Sequence, residues 1–181
     1  CPIDIGTFNE RYFTYVAAFG AFTDVPYKTP REIKAVLGHP AYILEAAKSL
    51  GSIKASHVVM ETEKDRYEGD VLVGMVSNAN QIAGFKGLNG KNVRLDDGVF
   101  EVLMIRTPRT ALELTNILSS MILKEEQSEY VHKFKTSVLK VHSQEAVDWV
   151  LDGEFGGSRT DVEIKNLTNR IKIVAGLVKN R

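Results

Sequence analysis

Tight-turn dipeptides constrain the fold of this chain more than any other feature. Asn89-Gly90, Asp97-Gly98 and Asp152-Gly153 each place glycine after a residue that tolerates a left-handed backbone, a combination that short β-hairpins prefer. Segments rich in aromatic and β-branched residues occur throughout the chain. Because hairpins join neighbouring antiparallel strands, the sequence predicts a mainly β, antiparallel architecture.

Predicted strands run through most of the chain. They cover residues 3–9, 11–19, 52–63, 67–77, 99–105, 130–142, 148–151, 160–164 and 170–174, with hairpins expected across 63–66 and 167–169. Gly20 closes a run of small residues, where we expect another backbone to approach closely.

Helix signals occur at two Thr-Pro pairs, at 29–30 and 107–108. Threonine caps a helix N-terminus and proline fits its first turn. The first pair predicts helical pieces over 29–37 and 41–50, and the second predicts a helix that runs to about Lys124. We therefore expect an α+β domain, an antiparallel β-sandwich with two or three helices that cover one face or end.

Length and charge limit the class of protein. The chain of 181 residues fits a single domain over 1–181. Acidic and basic residues balance at 23 each, which argues against nucleic acid as the main partner. Cys1 is the single cysteine, so no disulfide is possible within the chain and a reducing cytoplasm is expected. No apolar stretch is long enough to span a membrane, although peripheral contact with a bilayer remains compatible with the sequence.

The strongest candidate for chemistry is the acid pair Asp152 and Glu154, which are separated only by Gly153. Trp149 precedes the pair and could partly desolvate it. A plain hairpin turn is the alternative interpretation, because Asp-Gly alone is a strong turn signal.

A second acidic turn, at 96–98, favours a divalent cation, because side-chain and carbonyl oxygens are the ligands that hard cations prefer. A simple hairpin is again the alternative. Asp4 lies between Ile3 and Ile5, and strand alternation predicts that it faces solvent. If it were buried, it would need pairing or a metal. The histidines lack zinc spacing, and the sequence has no Gly-x-Ser-x-Gly motif or phosphate-binding glycine loop.

Four segments resemble one known family in the same order along the chain. They are residues 6–20 (GTFNERYFTYVAAFG), 78–87, 95–98 (LDDG) and 151–154 (LDGE). They are similar to the C-terminal domain of bacterial diacylglycerol kinase-type lipid kinases, and the similarity covers nearly the whole chain. The resemblance implies the C-terminal domain of the NAD kinase/diacylglycerol kinase-like fold. In that family an N-terminal domain carries a Gly-Gly-Asp-Gly-Thr nucleotide motif, which this sequence lacks.

The resemblance also implies roles for individual residues. Asp152 matches the family's general base, and Glu154 matches an acidic partner expected to raise its proton affinity. The other implied site residues are Asp97 as ligand of a structural magnesium ion, the main-chain oxygens of Arg94 and Val99 at the same ion, Asp4 linked to it through water, and Lys48 as a cleft lysine that binds the cofactor.

The implied function is ATP- and Mg²⁺-dependent phosphorylation of diacylglycerol or a similar lipid alcohol to a phosphatidic acid-type product. The expected partners are a lipid at the membrane surface, the protein's own N-terminal nucleotide-binding domain and, through exposed sheet edges, a second copy in a homodimer. The expected location is cytoplasmic, peripheral to the membrane, and this chain alone should be inactive. The alternatives are a non-enzymatic binding module and a kinase that acts on another lipid, such as a sphingoid base.

Overall fold

The computed structural model of the protein describes residues 2–20, 55–79, 81–82, 85–86, 93–123 and 128–172. These residues form the strands β1 Pro2–Phe8, β2 Arg11–Phe13, β3 Val16–Gly20, β4 Ser56–Glu61, β5 Arg66–Ser77, β6 Gln81–Ile82, β7 Phe85–Lys86, β8 Phe100–Arg106, β9 Val131–Thr136, β10 Val138–Leu151 and β11 Glu154–Lys172, and the helix α1 Ala111–Leu123. The described part of the chain is therefore mainly β, as predicted.

Nine strands form one connected sheet in the order β2-β1-β11-β10-β3-β5-β8-β9, and β4 also pairs with β10 and β5. Every strand pair in this sheet is antiparallel, which confirms the predicted pairing mode. Strands β6 and β7 form a separate two-stranded ladder. The described strands thus form one connected main sheet, so the predicted arrangement of two stacked sheets is not confirmed in that form.

The main sheet curves over itself and encloses the core. Phe13 on β2 lies 5.5 Å from Phe100 on β8, measured between ring centroids, although these strands are far apart in the sheet order. Trp149 is 1% exposed and lies between Phe8 at 5.0 Å and Phe19 at 4.7 Å. Large aromatic side chains therefore fill the space between the two ends of the sheet.

Two glycines allow this close packing. A Cβ atom at Gly74 would lie 2.1 Å from the Phe19 ring. At Gly20 the backbone φ is +95°, and a Cβ atom would lie 2.2 Å from the carbonyl oxygen of Leu72. The close backbone approach predicted at Gly20 is therefore confirmed.

The hairpin predicted across 63–66 is confirmed. Strands β4 and β5 pair from Glu61 opposite Arg66 onward, and the Thr62 main-chain N–H donates to the Asp65 carbonyl at 2.8 Å. The predicted strand over 130–142 is present but is interrupted at Ser137, so that β9 pairs with β8 while β10 continues to Leu151. The Thr136 hydroxyl forms hydrogen bonds with the main chain of Val138 at this break.

The hairpin predicted across 167–169 is wrong. Strand β11 continues through this segment and pairs with both β10 and β1. Asn169 has a φ of +55°, and the register of β1 against β11 shifts between Ile3 and Ile5. Asn169, a residue type common in turns, therefore lies in a β-bulge within one long strand.

The second predicted helix is confirmed as α1, but its cap differs from the prediction. The Thr110 hydroxyl accepts a hydrogen bond from the Glu113 main-chain N–H at 3.1 Å, and the Glu113 carboxylate accepts one from Arg109 N–H at 2.7 Å. Thr110 is therefore the N-cap, in a variant of the capping box. The helical pieces predicted over 29–37 and 41–50 lie outside the described residues. Among the residues that the structure describes, no helix is long and apolar enough to cross a membrane.

Candidate functional site

The acid pair lies at the end of the hairpin between β10 and β11. Leu151 pairs with Glu154, and the two residues between them have positive φ angles, +52° at Asp152 and +94° at Gly153. Two successive left-handed residues are the geometry of a type I′ turn. The predicted turn is confirmed, and it places both acids at the end of the β10–β11 hairpin.

Four hydrogen bonds hold the Asp152 carboxylate. Its Oδ2 accepts from the Thr14 main-chain N–H at 2.7 Å and from the Thr14 hydroxyl at 2.9 Å. Its Oδ1 accepts from the main-chain N–H groups of Tyr15 and Val16, both at 2.9 Å. A carboxylate offers about four lone-pair positions, so these donors use its full accepting capacity. Asp152 thereby fixes the loop between β2 and β3 against the hairpin.

These donors also set the charge state of Asp152. Burial raises the pKa of its carboxyl group, but the main-chain N–H groups of Thr14, Val16 and Tyr15 and the Thr14 hydroxyl outweigh this effect and lower the pKa below its ordinary value of 3.8. We expected Glu154 to raise the proton affinity of Asp152. The pKa is instead lowered, because the anion is stabilised by N–H donors.

Glu154 differs from Asp152 in its surroundings. Its side chain is exposed, and within the described residues its carboxylate has no hydrogen bond or ion pair. Arg11 lies at the same edge, where its Nη1 donates to the carbonyl oxygens of Phe155 at 3.3 Å and Gly156 at 2.9 Å. Glu154 is therefore the member of the acid pair whose oxygens are open to a ligand. Trp149 is buried in the core.

Asp4 is buried, contrary to the prediction that it faces solvent. Its side chain is fully enclosed, and it accepts hydrogen bonds from Gly98 N–H at 2.7 Å and Asn169 N–H at 2.8 Å. Its own N–H donates to the Leu95 carbonyl at 2.7 Å. Strand alternation failed here because the 95–98 turn packs against β1 at Asp4, where the register with β11 shifts. Asp4 ties that turn to the sheet.

The second acidic turn carries the predicted magnesium ligands. The Asp97 side chain is 22% exposed, and its Oδ2 lies 3.4 Å from Lys135 Nζ. Lys135 Nζ also lies 3.0 Å from the carboxylate of Glu101, which is 2% exposed. Burial raises the pKa of Glu101, and the Lys135 ammonium offsets only part of that effect.

The donor set around this turn fits a hard cation. Among the described residues, no group of three or more His, Cys, Asp or Glu side chains could hold a metal, so a magnesium site here would depend on Asp97 and main-chain oxygens. Asn78 Oδ1 is buried beside the turn, and the described residues supply no hydrogen-bond partner for it. Oxygen donors of this kind suit Mg²⁺ better than softer metals.

Asn78 connects the second acidic turn to the loop that holds Asp152, and it was not identified from the sequence. Its main-chain N–H donates to the Tyr15 carbonyl at 3.1 Å. Its side-chain Nδ2 donates to the carbonyl oxygens of Asp4 at 2.9 Å and Leu95 at 3.1 Å. Asn78 and Thr14 both lie in segments that carry the resemblance, which was the only signal for them. Lys48 lies outside the described residues.

Two curated relatives extend this picture. No family model matches the chain. It is 30% identical over 175 residues to a diacylglycerol kinase of Bacillus subtilis (strain 168), covering 96% of this chain and 56% of the relative. It is 32% identical over 157 residues to a diacylglycerol kinase of Staphylococcus saprophyticus, covering 86% of this chain and 50% of the relative. The chain is related to the diacylglycerol kinases. It spans about half the length of these relatives.

Two solved structures with low sequence identity share the fold. A Bacillus anthracis (strain Sterne) protein provisionally described as a diacylglycerol kinase matches with a TM-score of 0.67 and 20% identity, over 93% of this chain and 55% of that protein. A second diacylglycerol kinase structure from this organism matches with a TM-score of 0.60 and 15% identity, over 93% of this chain and 52% of that protein. The curved sheet of this chain is thus a fold also found in diacylglycerol kinases.

Proposed function

We propose that this chain is the C-terminal domain of an ATP- and Mg²⁺-dependent lipid kinase that phosphorylates diacylglycerol or a similar lipid alcohol. The product is a phosphatidic acid-type lipid. The observation that carries the proposal is the acid pair, with Asp152 fully hydrogen-bonded and Glu154 open at the same hairpin end. The relationship to the diacylglycerol kinases supports it. In the proposed architecture the curved sheet acts as the β-sandwich of the NAD kinase/diacylglycerol kinase-like fold, with further helices on one face or end.

Phosphoryl transfer to an alcohol requires a group that takes the hydroxyl proton. The lipid oxygen forms a bond to the γ-phosphorus of ATP, the bond between that phosphorus and ADP breaks, and the proton passes to a carboxylate. The family resemblance implies this role for Asp152. To receive a proton, however, Asp152 would have to give up hydrogen bonds from its four donors, and its lowered pKa makes it a weaker base.

We therefore divide the roles between the two acids. Asp152 remains an anion and positions the β10–β11 hairpin against the loop that contains Thr14. Glu154 is the carboxylate that can approach a lipid hydroxyl and receive its proton. Positioning of this kind matters because small displacements at a reacting group reduce the rate strongly.

The residues of the second acidic turn would hold a structural magnesium ion. Its ligands would be Asp97 and the main-chain oxygens of Arg94 and Val99, with Asp4 connected to it through water. Bound there, the ion would supply positive charge that fixes the turn. Asn78 would transmit this order to the loop beside Asp152, since it donates hydrogen bonds to Leu95 in the turn and to Tyr15 in the loop.

The nucleotide would be bound by another domain. The sequence lacks the Gly-Gly-Asp-Gly-Thr motif of the family, and we propose that an N-terminal nucleotide-binding domain, together with Lys48, completes the active site. This chain alone would then bind ATP weakly and show no turnover. The proposed location is peripheral to the cytoplasmic face of the membrane, and a homodimer is part of the proposal.

Activity of the full-length protein tests the proposed function. The protein would be incubated with Mg²⁺ and ATP labelled at the γ-phosphate, and with diacylglycerol, sphingosine or a prenyl alcohol in mixed micelles. We expect labelled phosphatidic acid from diacylglycerol. If only sphingosine or the prenyl alcohol were labelled, that alcohol and not diacylglycerol would be the substrate. The absence of any labelled lipid would support a non-enzymatic binding module instead.

A further inference from the structure

A lysine on β9 pairs with two carboxylates beside the second acidic turn. Lys135 Nζ lies 3.0 Å from Glu101 Oε1 and 3.4 Å from Asp97 Oδ2. The two acids differ in burial, since the side chain of Glu101 is 2% exposed and that of Asp97 is 22% exposed. One ammonium group therefore links a buried anion to the candidate magnesium ligand.

The strand register holds Lys135 in this position. Glu101 on β8 is the cross-strand partner of Lys135 on β9, so their side chains lie on the same face of the sheet. A buried carboxylate needs a compensating charge, and the Lys135 ammonium supplies one. Glu101 thus anchors Lys135 beside the turn.

The ammonium and a magnesium ion would share the carboxylate of Asp97. An Mg²⁺ ion bound to Oδ2 would lie within about 6 Å of Lys135 Nζ, because Mg²⁺–oxygen bonds are about 2.1 Å long. At that separation a divalent ion and an ammonium group repel each other enough to weaken binding about tenfold, even at the dielectric constant of water. The two cations therefore compete for one carboxylate.

We propose that Lys135 exchanges partners when Mg²⁺ binds the second acidic turn, so that its ammonium leaves Asp97 and pairs with Glu101 alone. The buried charge of Glu101 draws the ammonium away from Asp97 and so sets the Mg²⁺ affinity of the turn. Glu101 and Lys135 are positioning residues, because they act on the ion through Asp97. The inference rests on the magnesium site of the proposed function.

Titration calorimetry of this chain with MgCl₂, without nucleotide, tests the exchange. The wild type is compared with Glu101→Gln and with the double variant Glu101→Gln/Lys135→Met. Gln has nearly the shape of Glu but no charge, so Lys135 would shift toward Asp97 in the single variant. We expect the Mg²⁺ affinity of Glu101→Gln to fall about tenfold. The double variant should recover the wild-type affinity or exceed it, a rescue that simple damage to an ion pair would not produce.

Lys135→Met alone gives a second measurement that does not depend on the folding of Glu101→Gln. This variant removes the competing cation and should bind Mg²⁺ about tenfold more tightly than the wild type. Thermal unfolding in EDTA shows which variants are folded before the titration. Unchanged or weaker binding by folded Lys135→Met would contradict the proposal.

Lys140 provides the matched control. Its Nζ lies 3.9 Å from Glu163, and its side chain is 61% exposed. Glu163 is separated from Asn169, which bonds to Asp4, by six residue steps along β11, roughly 20 Å at the usual strand rise. Lys140→Met removes the same charge far from the turn, where salt screens it, and should leave the Mg²⁺ affinity unchanged.

Three further results would overturn the exchange. These are an unchanged Mg²⁺ affinity in Glu101→Gln, no recovery in the double variant, and the same change in Lys140→Met as in Lys135→Met. If the wild type bound no Mg²⁺, the contact of Lys135 with Asp97 would be a permanent ion pair of the turn, and the inference would fail. Lipid labelling by the full-length protein tests the kinase proposal separately, since nucleotide-bound Mg²⁺ can support turnover whether or not this turn binds an ion.

Discussion

Asp152 acts through the hydrogen bonds that its left-handed turn makes possible. The φ of +52° at this residue directs the carboxylate toward the loop between β2 and β3, where Thr14, Tyr15 and Val16 present N–H groups to it. The same bonds that fix the turn stabilise the anion. A lone turn residue thereby becomes the connection between two parts of the candidate site.

The pH dependence of stability tests the charge state of Asp152. Since its pKa is lowered on folding, its contribution is fully present above the unfolded pKa of about 4 and is lost as the pH falls through the lower folded pKa. We expect the free energy of unfolding to fall more steeply below pH 4 in the wild type than in Asp152→Asn. Urea unfolding at several acidic pH values measures this difference.

Asp161 and Glu163 also have lowered pKa values, so the comparison depends on the difference between the two proteins and not on the wild-type slope alone. A control variant, Asp161→Asn, should remove its own share of the slope and leave that of Asp152. Equal acid slopes in the wild type and in Asp152→Asn would show that the hydrogen bonds do not hold Asp152 as an anion.

At the level of elements, the sequence predicted the turns and helices whose formation depends on neighbouring residues. The Asp152-Gly153 turn, the β4–β5 hairpin and α1 were predicted from local turn and cap signals, and the structure has all three, although Thr110 and not Thr107 caps α1. The segment at Asn169 contains the same kind of turn residue, yet it continues as a strand because β1 pairs with it from the far end of the chain. No local pattern shows that partner. The burial of Asp4 escaped prediction for the same reason.

Two glycines on β5 allow a matched test of packing. Gly74→Ala would place a methyl group 2.1 Å from the buried Phe19 ring, whereas Gly69→Ala would meet first the end of the Tyr67 side chain at 2.8 Å. We expect Gly74→Ala to cost about 1–3 kcal/mol, as overpacked cores do, and Gly69→Ala to cost less. Chemical unfolding measures both values. Equal costs would mean that the Phe19 ring yields as easily as the end of the Tyr67 side chain.

At the level of the whole molecule, the sheet order brings together acids that are far apart in sequence. Asp4 on β1 and the turn at 95–98 meet at one place, and Asn78 connects them to the loop that holds Asp152. The residue types were visible in the sequence, and the resemblance implied their roles. The contacts that join them depend on the curvature of the sheet, which no spacing rule predicts.

Magnesium binding tests the second acidic turn. We expect added Mg²⁺ to raise the Tm of this chain, because an ion that binds only the folded state stabilises it, and we expect EDTA to reverse the shift. Asp97→Asn should abolish the shift. Asp96→Asn should keep it, since Asp96 is an exposed partner of Arg94. If both variants respond like the wild type, the ion does not bind at Asp97.

Turnover of the full-length protein with Glu154→Gln tests the central claim most directly, with Asp152→Asn measured beside it. Loss of a positioned proton acceptor costs about 10²–10⁴-fold in rate. The account predicts that Glu154→Gln lowers kcat by about 100-fold or more with little change in KM or Tm, and that Asp152→Asn lowers kcat together with Tm. A Glu154→Gln protein with wild-type kcat would contradict the account. If Asp152→Asn then lost turnover while keeping its Tm, the proton acceptor would be Asp152.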